Sequence, residues 1–410
     1  MVSAFILRAG EFPMGIKIVV KDPVARVDAQ AYTQIVEPFV HLLSSTKPRA
    51  VEIFLHIRHE ASPLLQLLDI TCHSDDTLIN ARFLLVPGVS TISREIVEHL
   101  DLRSAKGLTN VGLGLPGSVV ADVKVNWAAL TDLTLHRGMR VPATLGVLRK
   151  CINLVRCKIE LEPGSSSLLT PPTNLPAPTT LLHLTDMVIS GLQPREDFPS
   201  PLVLPSLRAL DIRDGVETFN DFYGQPPPDT SLPEWIRLHG ANLGQLTFSY
   251  GRLSSPTLLA CLGNAPNVRM LEIRPPLVTA IRQLPFLFGQ ATLISFPLRA
   301  LSAMTARFGE AGERLAQPCL CPTLEGVMIY GPGDRIEAEH WVNFVASRRR
   351  ENQAVVSYIK AVNVGVLAMD PSSVGFVNRT RTTVLDSLRA RGVSVDSVML
   401  HVQRGRLQSD

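Results

Sequence analysis

A short apolar pattern recurs along the middle of this chain at a nearly regular interval. The pattern is apolar-x-x-apolar-x-apolar, and its copies begin at Leu108, Leu130, Leu154, Leu184, Leu207, Leu243, Val268, Leu293 and Leu324. Successive copies start 22, 24, 30, 23, 36, 25, 25 and 31 residues apart. Units of this length cannot bury an apolar face alone, so each must stack on its neighbours. The spacing therefore predicts a stacked array of short units.

The interval predicts an α/β fold: an irregular leucine-rich-repeat solenoid of the ribonuclease-inhibitor-like type, with short parallel strands and outer helices. Two units are nearly alike, CINLVRCKIEL from Cys151 and NAPNVRMLEI from Asn264. The longer intervals contain proline-rich insertions at Pro163–Pro178 and Gln225–Pro233. We expect eight or nine strands between Leu108 and Ile329. The main alternative is a doubly wound α/β enzyme whose strands happen to look alike.

The flanking regions predict a division into residues 1–100, 101–335 and 336–410. The first is an α/β flanking region with a strand at Val51–Ile57 and a helix near Pro63–Ile70. The second is the solenoid. The third is an α/β cap with helices at Glu337–Arg348 and about Val374–Ala390, followed by a strand at Val393–Val402. Open solenoids require such a cap.

Charge and cysteine content narrow the class of protein. The formal net charge of +3 over 410 residues is too small for broad capture of nucleic acid. We predict that the run Arg348–Arg350 is a solvated helix end that complements the helix dipole. The six cysteines lack paired zinc spacing and suit a reduced compartment. No apolar run is long enough to span a membrane, so we expect an intracellular protein, cytoplasmic or nuclear.

One glycine motif carries an alternative function. Residues 112–117 (GLGLPG) match GxGxxG and follow a predicted strand. A dinucleotide fingerprint needs a helix directly afterwards, whereas Ser118–Val125 has the character of a strand. Pro116 also removes a backbone donor. The alternative left open is an α/β enzyme with a nucleotide or small-molecule site near Gly112–Gly117.

No other pattern supports catalysis. The sequence has no P-loop, GxSxG, HExxH or EF-hand motif. Glu337, Glu339 and His340 cluster where a predicted helix starts, a place that favours acids. We therefore predict no catalytic residue, no cofactor and no metal.

The predicted sheet offers a binding face. Residues that alternate with the buried ladder point into the concavity of a solenoid, and their mixed charge suits a protein partner. The predicted protein-binding residues are Asp132, Thr134, His136, Arg156, Lys158, Glu160, Asp211, Arg213, Thr247, Glu272, Arg274 and Tyr330. The sequence thus favours a non-catalytic interaction module over an enzyme. A third alternative is a fragment or decayed relative without a stable partner.

Several segments resemble those of one family. They have the forms WxxLTxLxL, LxxCxNLxxC and CPxLE, with a closing helix-strand, and lie at Trp127–Leu135, Leu148–Cys157, Leu204–Ile212, Cys321–Glu325 and Leu385–Val395. Over roughly residues 100 to 400 the chain resembles the fungal F-box/leucine-rich-repeat-like proteins. The resemblance implies a substrate-recognition subunit of a cullin-RING ubiquitin ligase, whose F-box docks the ligase adaptor. Residues 1–50 depart from the F-box pattern, so adaptor binding is expected only if an F-box lies upstream.

Overall fold

A computed structural model describes the greater part of the chain. The described residues are 2–9, 12–21, 34, 37–39, 41, 49–57, 68, 78–87, 97–115, 117–161, 178–191, 202–214, 232–249, 255–274, 298–306, 319–332, 338–349, 356–368, 371–396 and 398–404. They divide into two compact units. Unit 1 comprises residues 1–189 and 201–206, and unit 2 comprises residues 190–200 and 207–410.

Unit 1 is built on parallel strands that follow one another in chain order. Its strands are β1 Val2–Ala9, β2 Phe12–Lys21, β3 Ala50–Ile57, β4 Asn80–Pro87, β5 Asn110–Gly114, β6 Asp132–Met139, β7 Arg156–Leu161, β8 Thr179–Thr180, β9 Asp186–Gly191 and β10 Leu202–Val203. Among the described pairings of these strands, β1 with β2 is antiparallel and the others are parallel. Strands β8 and β10 form a separate two-stranded sheet. Helices α1 (Gly117–Val120) and α2 (Val141–Leu148) lie in the connections.

Unit 2 repeats this arrangement, with helices of seven to twenty residues. Its parallel strands are β11 Ala209–Asp214, β12 Gln245–Ser249, β13 Met270–Arg274, β14 Gly326–Pro332, β15 Ala361–Ala368 and β16 Val398–Arg404, paired in that order. Its helices are α3 Leu232–His239, α4 Ser255–Gly263, α5 Leu298–Met304, α6 Ala338–Arg348 and α7 Pro371–Ala390. The predicted C-terminal cap is thus α/β, and β15 and β16 continue the parallel pairing.

The same backbone device joins one strand to the next in both units. The carbonyl of the residue before a strand accepts two amides, one from the residue before the next strand and one from that strand's first residue. We call this a shared-carbonyl bridge. In unit 1 the acceptors are Arg49, Ile79, Thr109, Thr131 and Val155, and in unit 2 they are Arg208, Gly244, Arg269 and Glu325. Because both amides belong to the backbone, the bridge is compatible with many residue types. The hydroxyls of Thr131 and Thr185 add a third hydrogen bond at the carbonyls of Thr109 and Val155.

The turn before each strand is also repeated. Its fourth residue donates its amide to the carbonyl of its first, as from Leu154 to Cys151 (3.2 Å) and from Val268 to Ala265 (3.3 Å). The third residue often donates a side-chain hydrogen bond to the previous turn. The pairs are Asn153 to Ala128 O, Ser206 to Leu182 O, Asn267 to Ala241 O and Thr323 to Pro266 O.

The core is the apolar ladder that the sequence pattern predicts. The first residues of the copies at 108, 130, 154, 184, 207, 243, 268 and 324 are all buried. Alternate strand residues such as Leu133 and Leu135, or Leu271 and Ile273, are buried as well. Burial of these side chains removes apolar surface from water, the main favourable contribution to folding. The fold is therefore of the leucine-rich-repeat class, as predicted.

Two local predictions are corrected. The copy at Leu293–Leu298 adds no strand between β13 and β14, because Met270 pairs directly with Gly326 and Leu298 begins α5. The predicted strand at Ser118–Val125 is instead the short helix α1 followed by a turn. The strand at 51–57 is confirmed, whereas the helix near 63–70 lies outside the described residues apart from helical, buried Leu68.

The basic run at the end of α6 is also different from the prediction. Arg348 is fully buried, and its guanidinium donates to the carbonyls of Met304 (3.0 Å), Leu320 (3.1 Å) and Cys321 (3.0 Å). Burial lowers the pKa of Arg348 from its ordinary value. Arg349 is buried too, and it donates to the carbonyls of the chain around β15 and to Ser394. These two arginines hold backbone segments together, and are not a solvated helix end.

Candidate functional site

The outward face of each unit is formed by strand residues that alternate with the buried ladder. In unit 1 one row of this face crosses six successive strands in register. From β2 to β7 the row is Lys17, Glu52, Arg82, Gly112, Thr134 and Lys158. Glu52 lies between two cations, 3.3 Å from Lys17 Nζ and 3.5 Å from Arg82 Nη1. The first three residues of the row therefore form a network of paired charges.

Arg82 extends across the strand beside it. A Cβ built on Gly112 would lie 2.9 Å from Cγ of Arg82, so the arginine stem occupies the space that another residue would fill. The guanidinium then reaches β6, where Nη2 lies 3.3 Å from Nε2 of His136. Arg82 therefore links Glu52 on β3 to His136 on β6.

The same packing bears on the glycine motif. Gly114 is also covered, because a Cβ there would lie 2.8 Å from Cδ2 of Leu84. Gly112 and Gly114 are buried beneath side chains of β4 and leave no open backbone cradle at these two positions. The helix that follows, α1, has four residues. The two glycines are explained by strand packing, without a nucleotide.

A second pair of predicted residues meets at the start of β6 and β7. Arg156 forms an ion pair with Asp132, which also accepts a hydrogen bond from the Thr131 hydroxyl (2.9 Å). This hydrogen-bonded carboxylate raises the pKa of the Arg156 guanidinium above its ordinary value. Lys158 and Glu160 follow on β7 at half-buried outward positions.

In unit 2 the outward face carries two acid–arginine pairs on strands flanking β12. Arg213 donates from Nε (2.9 Å) and Nη2 (2.6 Å) to Oδ2 of Asp211. Arg274 donates from Nε (2.7 Å) and Nη2 (2.8 Å) to the two oxygens of Glu272. Arg274 Nη1 also lies 4.0 Å from Asp211 Oδ2. Two donors from each guanidinium to its carboxylate fix the guanidinium planes, and the Arg274–Glu272 pair is bidentate.

Two of the predicted residues differ from this pattern. Thr247 lies in register between Asp211 and Glu272, but its side chain is 2% exposed, so it is not accessible to a partner. Tyr330 is in β14, and its side chain lies outside the described part of the chain. The charged side chains on either side enclose Thr247, which alternation alone could not show.

Exposed methionines lie on the same face as the acid–arginine pairs. Met270 lies over Gly326, where a Cβ would come within 2.5 Å of its Sδ. Met399 on β16 is in the same register row as Met328 on β14. Met270 and Met399 are exposed, although most large apolar side chains of the strands are buried. The outward face of unit 2 therefore combines flexible apolar side chains with fixed charges.

Sequence reasoning missed the part of the face contributed by residues 1–100. A signal was present: Leu78, Ala81 and Phe83 match the recurring pattern and are all buried. That match would have placed Arg82 at the position equivalent to Thr134. Alanine in the middle position made the copy hard to recognise.

The described part of the chain contains neither a metal-binding cluster nor a membrane-spanning helix. There, no group of three or more His, Cys, Asp or Glu residues could hold a metal ion. None of the helices described is both long enough and apolar enough to cross a bilayer.

These features define a leucine-rich-repeat protein with charged outward sheet faces. The crystal structure of the leucine-rich-repeat-containing protein LegL7 from Legionella pneumophila is similar, with a TM-score of 0.40 and 11% sequence identity. The match covers 88% of this chain and 96% of that chain. No protein-family model matches the chain, and neither does a curated protein.

Proposed function

We propose that the chain is a non-catalytic protein-binding module that holds its partner on the outward sheet faces. The observation that carries this proposal is the outward face of unit 2. There Arg213 and Arg274 are fixed by carboxylates, and Met270 and Met399 are exposed on the same face. Arginine and methionine are enriched in protein interfaces. Side chains that are already ordered lose less entropy when a partner binds.

The mixed charge of this face supports a protein partner over nucleic acid. A phosphate backbone is bound by an excess of cations, whereas here each arginine has a carboxylate beside it. In unit 1 the row from Lys17 to Lys158 also contains an acid among its cations, since Glu52 lies between Lys17 and Arg82. The remaining predicted residues, apart from Thr247, belong to this proposed surface.

Affinity purification with quantitative mass spectrometry tests the proposal. The full chain would be compared with Arg274→Gln and with Met270→Gln/Met399→Gln. We expect a defined set of proteins with the natural chain and at least about tenfold less with each variant, since interface energy concentrates in few residues. Arg237→Gln is the matched control, because Arg237 is an exposed, ion-paired arginine on α3.

Two outcomes would refute the proposal. One is recovery of no specific protein with the natural chain. The other is equal recovery with all of the variants while their melting temperatures are unchanged, which would place the contact elsewhere on the molecule.

A finer proposal concerns the pathway: substrate selection for a cullin-RING ubiquitin ligase, in the cytoplasm or nucleus. It is supported by the family resemblance of segments such as Leu148–Cys157 and Cys321–Glu325. Immunoprecipitation from cells, probed for the ligase adaptor and cullin, tests it. Absence of both, while other proteins are recovered, rejects the ubiquitin link and leaves the binding proposal standing.

A further inference from the structure

A second exposed surface lies on the turns of unit 1, away from the outward sheet face. The second residue of the turn before β7 is Ile152, which is 57% exposed, and the equivalent residue before β9 is Leu182, which is 58% exposed. The next turn in chain order contributes Pro205, also exposed, and Val203 just before it. Four apolar side chains on successive turns are therefore open to solvent.

Hydrogen bonds show that these turns are neighbours. The amides of Thr185 and Asp186 donate to the carbonyl of Val155 (2.9 and 3.2 Å), which stacks the turn of Leu182 on that of Ile152. The Ser206 hydroxyl donates to the carbonyl of Leu182 (2.6 Å). Strands paired in this way are about 5 Å apart, so the apolar side chains form one patch.

The fold does not require large apolar residues at this turn position. The equivalent residues of other turns are Ala128, Ala241, Pro266 and Pro322. Since more than half of each side chain remains in water, Ile152 and Leu182 gain little from burial within the chain. Contiguous exposed apolar surface of this kind marks an interaction site.

The charge around the patch indicates what it binds. Segments 149–154, 178–184 and 202–206 contain Arg149, Lys150 and His183, all exposed, and no Asp or Glu. Lys150 Nζ donates to a neutral acceptor, the carbonyl of Ala121 (2.9 Å), so its charge remains available to an anion. Exposed Asp122 follows Ala121, the residue whose carbonyl accepts the hydrogen bond from Lys150. A partner that complements this border carries acidic residues next to apolar ones.

We infer that this turn surface, formed by Ile152, Leu182, Val203 and Pro205 with its basic border, docks an acidic segment of a partner protein through apolar anchors. The inference is independent of the outward faces, because none of these residues belongs to them. Apolar anchors would supply affinity, and the basic border would select acidic segments and speed their association.

Selection of a random peptide library displayed on phage, with the folded full chain as bait, tests the inference. We expect the enriched peptides to combine Asp or Glu with Leu, Ile or Phe. Their affinity should fall at least about tenfold in Ile152→Ser/Leu182→Ser and several-fold in Lys150→Glu. Leu238→Ser should leave it unchanged, since Leu238 is 55% exposed but lies on α3 in unit 2.

Other occupants would overturn the inference. Enrichment of basic or uncharged peptides would do so, as would peptides that bind Ile152→Ser/Leu182→Ser as well as the natural chain. Binding to phosphatidylserine vesicles that is lost in that double variant would assign the patch to a lipid surface. A concentration-dependent dimer in sedimentation velocity that is lost in the double variant would assign it to a second copy. Melting temperatures equal to that of the natural chain exclude unfolding as the cause.

Discussion

Units 1 and 2 join their strands in the same way but close their connections differently. Both use shared-carbonyl bridges, which need no particular side chain. In unit 1 the described helices of the connections, α1 and α2, have four and eight residues. In unit 2 the helices α3, α4 and α5 have seven to nine residues, whereas α6 and α7 have eleven and twenty. At the end of α6, Arg348 and Arg349 donate to carbonyls of the segments around them.

The difference shows where side-chain chemistry is needed in such a fold. A regular ladder satisfies the backbone groups of the strands by itself, whereas irregular connections leave buried carbonyls that need separate donors. A guanidinium carries five donors, so one arginine can serve several carbonyls. The backbone pairing of the strands therefore needs no particular side chain, whereas the connections of unit 2 depend on Arg348 and Arg349.

Substitution of Arg348 should cause the largest loss of stability in unit 2. Arg348→Met keeps apolar contacts but leaves the carbonyls of Met304, Leu320 and Cys321 without this donor. We expect a loss of about 3–5 kcal/mol in the free energy of unfolding. Urea unfolding with hydrogen exchange of β14 and β15 measures the change. Arg389→Met, at an exposed ion pair with Asp386, should cost less than about 1 kcal/mol.

Equal costs for the two arginine substitutions would show that the carbonyls find other donors. In that case the connections of unit 2 would be no more demanding than those of unit 1, and the contrast between the units would not hold.

One glycine substitution in each unit should act in opposite directions. In unit 2 a Cβ on Gly240 would lie 2.0 Å from the backbone oxygen of Asn264, so Gly240→Ala should cost about 2–3 kcal/mol. In unit 1 Gly146 lies inside α2 with nothing within 4 Å of its Cβ position, so Gly146→Ala should stabilise by about 0.5–1 kcal/mol. Thermal and urea unfolding measure both. A destabilising Gly146→Ala would contradict the open space beside α2.

The side-chain hydrogen bonds between successive turns should contribute equally to stability in the two units. Asn153 donates to Ala128 O at 2.8 Å in unit 1, and Asn267 donates to Ala241 O at 2.7 Å in unit 2. Each substitution to alanine should cost about 1 kcal/mol, the usual net value of one hydrogen bond. A cost confined to one unit would mean that the turns, and not only the connections, distinguish the units.

The smallest effect concerns acid stability in unit 1. The hydrogen bond from Arg103 lowers the pKa of Asp101 below its ordinary value. The ionised form is therefore favoured by folding, and this contribution is present above about pH 4 and fades as the pH falls through the lowered pKa. Asp101→Asn should have a flatter dependence of melting temperature on pH in this acid range. Identical profiles of melting temperature against pH for the natural chain and the variant would show that the Asp101–Arg103 pair does not contribute to acid stability.

The fold was predictable because leucine recurs at the same position of the apolar ladder. Leu108, Leu130 and Leu154 recur at the interval of one unit, and burial of each follows from the stacking of such units. The copy at Leu293 did not predict a strand between β13 and β14 correctly, because a six-residue apolar pattern does not distinguish a strand from the start of a helix. Repeats near Leu78 were missed because alanine fills a ladder position there.

The candidate face was predictable in part for the same reason. Alternation along a strand places Asp211 and Glu272 outward, but it does not reveal that Thr247 between them is covered. Burial of Arg348 could not be predicted, since its carbonyl partners come from residues 304 to 321, which are brought to α6 only by the tertiary fold.

The shared-carbonyl bridge has a consequence for engineering. It joins Thr109 to a turn 22 residues further on and Arg269 to one 56 residues further on, with the same pair of amides. Strand register is therefore set where each turn meets its neighbour, and the length of chain in between does not enter. A foreign domain grafted between Arg274 and Leu298 would add loop-closure entropy that grows only slowly with length. The chain is thus a natural scaffold for displaying inserted sequences without shifting its strands.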